Sequence, residues 1–275
     1  MRVLALHRDV LVFVSRVWQT TCTAVRAGDE GFVIDSPVYP DELEALPGVL
    51  EQAGFPVSGL LVTHADWDHL LGRLAFPRSA LGCGETTAAR LAAEPGAAQR
   101  ALRHFDEEHY VDGRRPLSLS AVQSLPVPGH LSVGREQELE VHPADGHTAD
   151  GTAFWIPWAA VLVCGDYLSP VEIPVLSPES SVDGYLATLA RLRPLVERAE
   201  TVVPGHGAPI SRTEALRVLA EDSSYLEALR RRRSSGSGAT ALPAGRRTAA
   251  QQRIDRENLA RLEAHARPRL TRPRN

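Results

Sequence analysis

The seven residues Thr-His-Ala-Asp-Trp-Asp-His at positions 63–69 constrain this chain more than any other segment. They follow the apolar run Leu-Leu-Val at 60–62, which predicts a buried strand that ends where the segment begins. Two imidazoles and two carboxylates in the segment are potential metal ligands: His64, Asp66, Asp68 and His69. Imidazole nitrogen and carboxylate oxygen suit zinc or a harder divalent ion. The segment therefore predicts a metal-binding loop at the end of a strand.

Three later motifs each add one potential ligand at the end of an apolar run. They are Gly146-His147-Thr148, Cys164-Gly165-Asp166 and Pro204-Gly205-His206. Gly165 lets the backbone turn sharply at its strand end, which aims Asp166 inward. With His147, Asp166 and His206 the chain offers seven ligands. One ion does not use seven such ligands at normal coordination numbers, so the sequence predicts two divalent metal ions.

In this order the motifs resemble the metallo-β-lactamase-fold hydrolases, whose pattern is His-x-His-x-Asp-His, Gly-His-Thr, Gly-Asp and Pro-Gly-His-Gly. The resemblance covers about residues 10 to 215 and departs at one place. Asp66 stands where most members have the second histidine, although a His-x-Asp-x-Asp-His version occurs in some branches. The resemblance implies an α/β fold, the αββα sandwich, in which loops along one rim of two sheets carry the ligands.

The resemblance also implies how the ligands divide between the two ions. His64, Asp66 and His147 would surround one ion, Asp68, His69 and His206 the other, with Asp166 between them. Two cations would convert a bridging water to hydroxide near neutral pH, and Asp68 would orient that water or accept its proton. Zinc is the expected ion, and the extra carboxylate of Asp66 makes manganese or iron an alternative. In a second interpretation, Asp66 instead hydrogen-bonds a ligating imidazole.

Several other residues resemble site residues and need an interpretation. His130, in Pro-Gly-His at 128–130, lacks the Gly-His-Thr context of His147, so we exclude it. Cys164 lies among apolar residues, which predicts packing in the core. Trp67 either faces the pocket or packs beneath the metal loop. Three further residues are candidates for substrate contact: His109, Tyr110 and Tyr167.

Length and composition predict one catalytic domain followed by a basic extension. A chain of 275 residues with 43% hydrophobic residues can fill a single large core. We predict a hydrolase domain over 1–233, a flexible linker over 234–247, which contains Ser-Ser-Gly-Ser-Gly, and a basic helix and tail over 248–275. Ile254, Leu259 and Leu262 share one side of that helix.

Charge is distributed unevenly along the chain. From residue 230 onward, thirteen arginines outnumber three acidic residues, a balance of +10. Since the whole chain carries −4, the part before residue 230 carries −14. Such a body repels a polyanion, whereas the tail either attracts one or folds back on the body. Nucleic acid is therefore a less favoured partner than a small molecule.

Cysteine usage and the start of the chain predict a cytoplasmic location. Cys22, Cys83 and Cys164 form no Cys-x-x-Cys pair, which suits a reducing compartment. The first nine residues include His7, Arg8 and Asp9, which interrupt the apolar stretch that a signal peptide needs. No apolar run reaches the length of a membrane span.

The reaction is the least constrained part of the interpretation. The region from Gly165 to Pro209 looks most like the branch that contains glyoxalase-II-type thioesterases and lactonases. This resemblance implies hydrolysis of an ester, thioester or lactone bond of a small molecule. A phosphodiesterase or nuclease that uses the same two-metal site is the main alternative, and a non-catalytic metal-binding module is a third. A secreted β-lactamase is disfavoured because the sequence shows no export signal and has no lysine to hold the carboxylate of the drug.

Overall fold

The computed structural model describes residues 1–235 and 242–266. Within these residues the first half of the chain forms one mixed sheet whose seven strands lie in sequence order. The strands are β1 Arg2–His7, β2 Val10–Val14, β3 Thr21–Ala27, β4 Glu30–Asp35, β5 Gly59–Val62, β6 Leu81–Gly84 and β7 Val122–Leu125. Strands β1 to β4 pair antiparallel and β4 to β7 pair parallel.

The second half of the described chain forms a six-stranded sheet in the order β13-β12-β11-β10-β9-β8. Its strands are β8 Gly129–Val133, β9 Gln137–Pro143, β10 Thr152–Ile156, β11 Val161–Val163, β12 Thr201–Val203 and β13 Ile210–Ser211. Strands β11 and β12 pair parallel, and the other neighbours pair antiparallel. Parallel neighbours end at the same edge of a sheet, so the residues that follow β11 and β12 come together.

Helices cover the outer face of each sheet. The first sheet carries α1 Pro40–Gln52, α2 Gly72–Ala75, α3 Glu85–Ala93 and α4 Ala97–Glu108, and the second carries α5 Val182–Arg198, α6 Arg212–Ser235 and α7 Ala249–Ala266. Three buried apolar clusters separate the layers, one between the sheets and one beneath each set of helices. This arrangement confirms the predicted αββα sandwich.

Strand β2 shows how the sequence specifies these layers. All five of its residues, Val-Leu-Val-Phe-Val, are buried. Val10, Val12 and Val14 belong to the cluster between the sheets, whereas Leu11 and Phe13 belong to the cluster beneath the helices. Successive side chains of a strand point to opposite faces, so a strand buried on both faces has no polar residue in its pattern.

Most elements lie where the sequence pattern places them, and most of the exceptions are at sheet edges. The apolar run at 60–62 lies in β5, as predicted. The pattern does not predict the inner strand β6, whose sequence Leu-Gly-Cys-Gly is half glycine, nor strands β1, β7, β8 and β13. The last four each lie at an end of a sheet, where backbone pairing holds a strand whose side chains are largely exposed. Such strands lack the apolar periodicity that identifies inner strands.

The C-terminal segment docks on the second sheet's helices. Helix α7 begins one residue after the predicted start at Thr248. Its Leu262 is buried, and Ile254 and Leu259 pack against the same cluster. Arg246 is buried in an ion pair of 2.6 Å with the buried Asp222. Loss of one partner of such a pair costs about 3–5 kcal/mol, so this arginine is part of the fold.

The predicted division into 1–233, 234–247 and 248–275 stays a prediction. Helix α6 continues to Ser235, two residues into the predicted linker. Residues 236–241 and the tail 267–275 lie outside the described residues. Among residues 1–235 and 242–266, no helix combines the length and the apolar character that crossing a membrane requires.

Candidate metal centre

The seven predicted ligands meet at one rim of the two sheets. His64 follows β5, the short 3₁₀ turn Trp67–His69 carries two more ligands, and His147 lies between β9 and β10. Asp166 follows β11 and His206 follows β12. Backbone hydrogen bonds tie the sheets together at this rim, from Thr152 N to the Thr63 carbonyl (2.7 Å) and from Thr21 N to the Gly205 carbonyl (2.8 Å). All four histidines and Asp68 are buried, and Asp66 and Asp166 are half-buried.

The ligand atoms fall into three overlapping groups, in each of which they lie within 4.8 Å of one another. The groups are His64, Asp66 and His147; Asp68, His69 and His206; and His64, His69 and Asp166. The first two are the two triads expected from the resemblance. Asp166 reaches both, because its Oδ2 lies 3.7 Å from His64 Nε2 and 3.3 Å from His206 Nε2.

The separations within these groups match those of ligands around a common ion. Two donors each about 2.1 Å from a tetrahedral ion lie about 3.4 Å apart. The Nε2 atoms of His64 and His147 lie 3.7 and 3.6 Å from Asp66 Oδ2. Asp166 Oδ2 lies 3.4 Å from His147 Nε2, and Asp68 Oδ2 lies 3.5 Å from His206 Nε2. These distances exceed those of ordinary hydrogen bonds, which end near about 3.2 Å.

Contacts at the opposite ring nitrogens orient the four imidazoles, by hydrogen bonds for His64, His147 and His206 and by an ion pair for His69. Thr63 Oγ1 donates to Asp35 (2.9 Å), so it accepts from His64 Nδ1 (3.0 Å). Thr20 Oγ1 donates to the Val17 carbonyl (3.1 Å), so it accepts from His206 Nδ1 (3.3 Å). The remaining two Nδ1 atoms face acceptors, His147 the Val175 carbonyl at 2.8 Å and His69 the Asp35 carboxylate at 3.0 Å.

This arrangement favours the tautomer with the proton on Nδ1, in which each Nε2 directs a lone pair toward the cluster. The Nε2 atoms of His64, His69 and His147 are buried and have no hydrogen-bond partner. Lone pairs that face carboxylate oxygens repel them unless a proton or a cation lies between. The residues present therefore fit bound divalent cations.

The carboxylates of the cluster also stabilise positive charge beside them. Burial lowers the pKa of His206, but Asp166 and Glu172 outweigh it and raise this pKa to about 10. The pKa of His69 is raised well above its usual value, against burial, by Asp166, Asp35 and Asp68. Burial raises the pKa of Asp66, yet the nearby imidazoles of His147 and His64 hold it well below its usual range.

The structure also places the other residues that the sequence analysis considered. His130 is exposed on β8, and Cys164 is buried in the core, both as predicted. Trp67 packs on Phe105 at 4.8 Å between ring centroids and also lines a cavity, so both of its interpretations hold in part.

Tyr167 is buried, and its hydroxyl accepts from His147 N and donates to the Ala144 carbonyl. It therefore positions the His147 loop and does not reach a substrate.

His109 and Tyr110 differ in their surroundings. The His109 ring stacks on Phe105 at 4.2 Å, behind Trp67. Tyr110 is 90% exposed. Neither lies among the ligand groups of the described residues.

Comparison with known families agrees with this geometry. The family profile described as "Metallo-beta-lactamase superfamily" matches residues 15–206, a span that includes all seven ligand candidates. The chain belongs to the metallo-beta-lactamase superfamily. A search of curated proteins gave no significant match.

Solved structures with low sequence identity share the superfamily fold. A metallo-beta-lactamase from Pontibacter korlensis is 20% identical, with a TM-score of 0.60 over 80% of this chain and 97% of that one. A metallo-beta-lactamase family protein from Thermus thermophilus is 21% identical, with a TM-score of 0.60 over 82% of this chain and 83% of that one. A stereoselective inverting sec-alkylsulfatase from Pseudomonas sp. is 13% identical, with a TM-score of 0.71 over 99% of this chain and 52% of that one.

The departure from the superfamily pattern at Asp66 has a partner that sequence reasoning missed. Arg90, on α3, donates to Asp66 Oδ1 at 2.8 Å and to Asp150 Oδ1 at 2.7 Å. Asp150 Oδ2 accepts from Ala65 N at 2.9 Å, which anchors the metal loop. Arg90 thus engages one oxygen of Asp66 and leaves the other, Oδ2, facing His64 and His147. It also offsets the negative charge that replaces a neutral imidazole.

Gly205 gives a first prediction because its Cα faces the carboxylate of Asp166. A Cβ at this position would collide with Asp166 Oδ1 and lie 2.9 Å from the Gly165 carbonyl carbon. We expect Gly205→Ala to displace Asp166 and to reduce metal content, measured by elemental analysis after reconstitution with zinc. Gly48→Ala, in α1 where nothing lies within 4 Å of the new Cβ, is the matched control and should keep wild-type metal content. Full metal content in both variants would contradict this role of Gly205.

A second prediction tests Asp66 together with Arg90. Asp66→His should retain metal and raise zinc-supported activity relative to manganese, whereas Asp66→Ala should weaken binding at one ion site. Arg90→Met removes the cation that offsets the charge of Asp66. It should therefore shift the metal preference from zinc toward manganese. In the Asp66→His background the same change should leave the preference unaltered. Equal effects of Arg90→Met in both backgrounds would show that Arg90 does not act through Asp66.

Proposed function

We propose that this protein is a hydrolase that uses two divalent cations, zinc in the first instance, to cleave an ester, thioester or lactone bond of a small molecule. The observation that carries the proposal is the set of Nε2 atoms that face carboxylate oxygens at ligand-to-ligand distances. Membership of the superfamily supports metal-dependent hydrolysis. The free, buried cysteines, Cys22, Cys83 and Cys164, support a cytoplasmic location as part of the same proposal.

Each residue of the site has a proposed role in this reaction. His64, Asp66 and His147 would hold one ion, and Asp68, His69 and His206 the other, with Asp166 in contact with both. Two such ions would supply Lewis acidity, which would activate a water and polarise the bond to be cleaved. The Asp68 carboxylate would orient that water and accept its proton. The imidazoles are kept in the tautomer that ligation requires by contacts to Asp35, Thr63, Thr20 and Val175.

A groove beside the site supports a small substrate. Its volume is about 460 Å³, and it begins at Asp66, Trp67 and Arg90. Much of its remaining wall is apolar and small, formed by Leu91, Pro95, Ala97, Ala98, Ala101 and Leu119. Ligand pockets for small molecules have volumes of about 300–1,000 Å³. We propose that the acyl part of an ester, thioester or lactone lies in this groove while its carbonyl lies at the ions.

Pairing of the C-terminal arginines weighs against nucleic acid as the substrate. Arg246 is bonded to Asp222 and Glu221 of α6. Arg261 donates to the Leu176 carbonyl. These arginines contact the protein's own groups, so they support the interpretation that the segment folds back on the body, which carries −14.

A sulfate ester is a second candidate, and one comparison favours it. The sec-alkylsulfatase is matched over 99% of this chain, which includes the C-terminal part that the family profile does not reach. Two cations that polarise a carbonyl would also stabilise charge on a sulfate or phosphate group. A substrate panel therefore needs carboxylic esters with their thioester and lactone relatives, sulfate esters and phosphodiesters.

Metal content and the substrate panel give the third prediction. Purified protein should bind close to two metal ions per chain after reconstitution with zinc, manganese or iron. It should hydrolyse thioesters, lactones or carboxylic esters faster than alkyl sulfates or phosphodiesters. Asp68→Asn, which keeps the size of the side chain and removes its charge, should lower kcat by about 10²-fold or more because it removes the proposed proton acceptor. Metal content near zero would reject the proposal. Hydrolysis of alkyl sulfates alone would instead favour the sulfate ester as the substrate.

The fourth prediction separates a small substrate from nucleic acid. Residues 267–275 contain four arginines, and removing them leaves α7 in place. For a small ester the truncation should leave activity and its salt dependence unchanged. For a nucleic acid substrate it should weaken binding and flatten the salt dependence, because fewer phosphate counterions would be displaced. Salt-sensitive cleavage of an oligonucleotide, abolished in Asp68→Asn and weakened by the truncation, would establish the nuclease alternative.

A further inference from the structure

The loop at residues 168–177 between β11 and α5 borders the candidate metal centre. It contains Pro170 and Pro174 and forms no regular element over residues 172–177. Several of its residues are nevertheless buried, including Leu168, Ser169, Ile173 and Leu176. Buried backbone N–H and C=O groups need hydrogen-bond partners. Within the loop, Ser169 Oγ accepts from Val171 N and Glu172 N, but residues 172–177 form no helix or sheet that would pair the remaining groups.

The C-terminal segment provides those partners through its side chains. Arg246 Nη1 donates to the carbonyls of Ser169 (3.1 Å) and Glu172 (2.7 Å). Gln251 Oε1 accepts from Ile173 N at 2.7 Å.

Asn258 holds the next part of the loop in the same way. Its Oδ1 accepts from Leu176 N at 2.9 Å, and its Nδ2 donates to the Pro174 carbonyl at 2.7 Å. Arg261 donates to the Leu176 carbonyl. Gln251, Asn258 and Arg261 are spaced by seven and three residues, so they lie on one face of α7.

The loop in turn contacts two of the proposed ligands. The Val175 carbonyl accepts from His147 Nδ1 at 2.8 Å, and Ser177 N donates to the His147 carbonyl at 3.1 Å. Ser169 Oγ donates to the His206 carbonyl at 2.7 Å. Val175 lies between Pro174 and Leu176, the two residues whose backbones Asn258 holds. The position of Asn258 therefore determines where the acceptor for His147 lies.

We propose that helix α7 is a positioning element of the metal centre, and that Gln251 and Asn258 orient the His147 imidazole by fixing residues 173–176. These two residues act through Val175 and do not touch the ions or the substrate. The inference rests on the proposed metal site. It also gives the C-terminal segment a role that its positive charge does not explain.

Adjacent glutamines on α7 provide a matched pair of variants for the test. Gln251 is 4% exposed and bonded to the loop, whereas Gln252 is exposed and donates to the Arg247 carbonyl at 3.4 Å. We expect Gln251→Ala to speed hydrogen exchange at the Ile173 amide, to broaden the Nδ1–H resonance of His147 in ¹⁵N-histidine-labelled protein, and to weaken zinc binding about tenfold or more at one site. Gln252→Ala should match wild type. Gln251→Glu keeps an acceptor for Ile173 N and should restore wild-type behaviour.

Asn258→Ala should act in the same direction, with faster exchange at the Leu176 amide. If Asn258→Ala does not fold, the Gln251 variants decide the question alone. A lower melting temperature in Gln251→Ala with unchanged zinc affinity and an unchanged His147 resonance would overturn the proposal, because α7 would then only pack. If wild-type protein binds no zinc, the proposed function fails, while amide exchange and the His147 resonance still decide whether α7 positions the imidazole.

Discussion

The structure depends on one electrostatic constraint at the rim of its two sheets. Four imidazoles direct the lone pairs of their Nε2 atoms toward the carboxylates of Asp66, Asp68 and Asp166, at 3.1–3.8 Å in the contacts described. Buried groups of this kind cannot coexist without positive charge between them. The fold keeps them together because the loops that carry them follow strand ends and because contacts at Nδ1 orient each imidazole. The packing of the sandwich thus holds in place a site suited to bound cations.

The two halves of the chain contribute to the site in different ways. The loop after β5 supplies four of the seven ligand candidates in one short segment, and the second half supplies the other three from three separate loops. The backbone bonds between Thr152 and Thr63 and between Thr21 and Gly205 join the halves where the ligands lie. Neither half holds a complete triad, because His147 joins the first group and His206 the second. Formation of the site therefore requires that both sheets be packed together.

The sequence predicted the inner strands other than β6, the sandwich and the ligand candidates, because each motif is local and follows an apolar run. It did not predict Arg90, whose role depends on Asp66 and Asp150, 24 and 60 residues away. An arginine on an amphipathic helix has the same appearance whether it meets solvent or a carboxylate at a metal site. Gln251 and Asn258 were missed for the same reason, since their partners lie about 80 residues earlier in the chain. Edge strands were missed because pairing, and not burial, determines them.

The contact between Arg90 and Asp66 has an evolutionary consequence. A histidine at position 66 would give Arg90 one carboxylate fewer to bind, and an arginine removed first would leave Asp66 uncompensated beside two other acidic ligands. A change at either position alone therefore alters the charge balance beside the ligands. We expect the two positions to vary together across the superfamily, so that members with aspartate in the metal loop carry a cation on α3 and members with histidine there do not. The helix after β6 would then mark this branch as clearly as the loop itself.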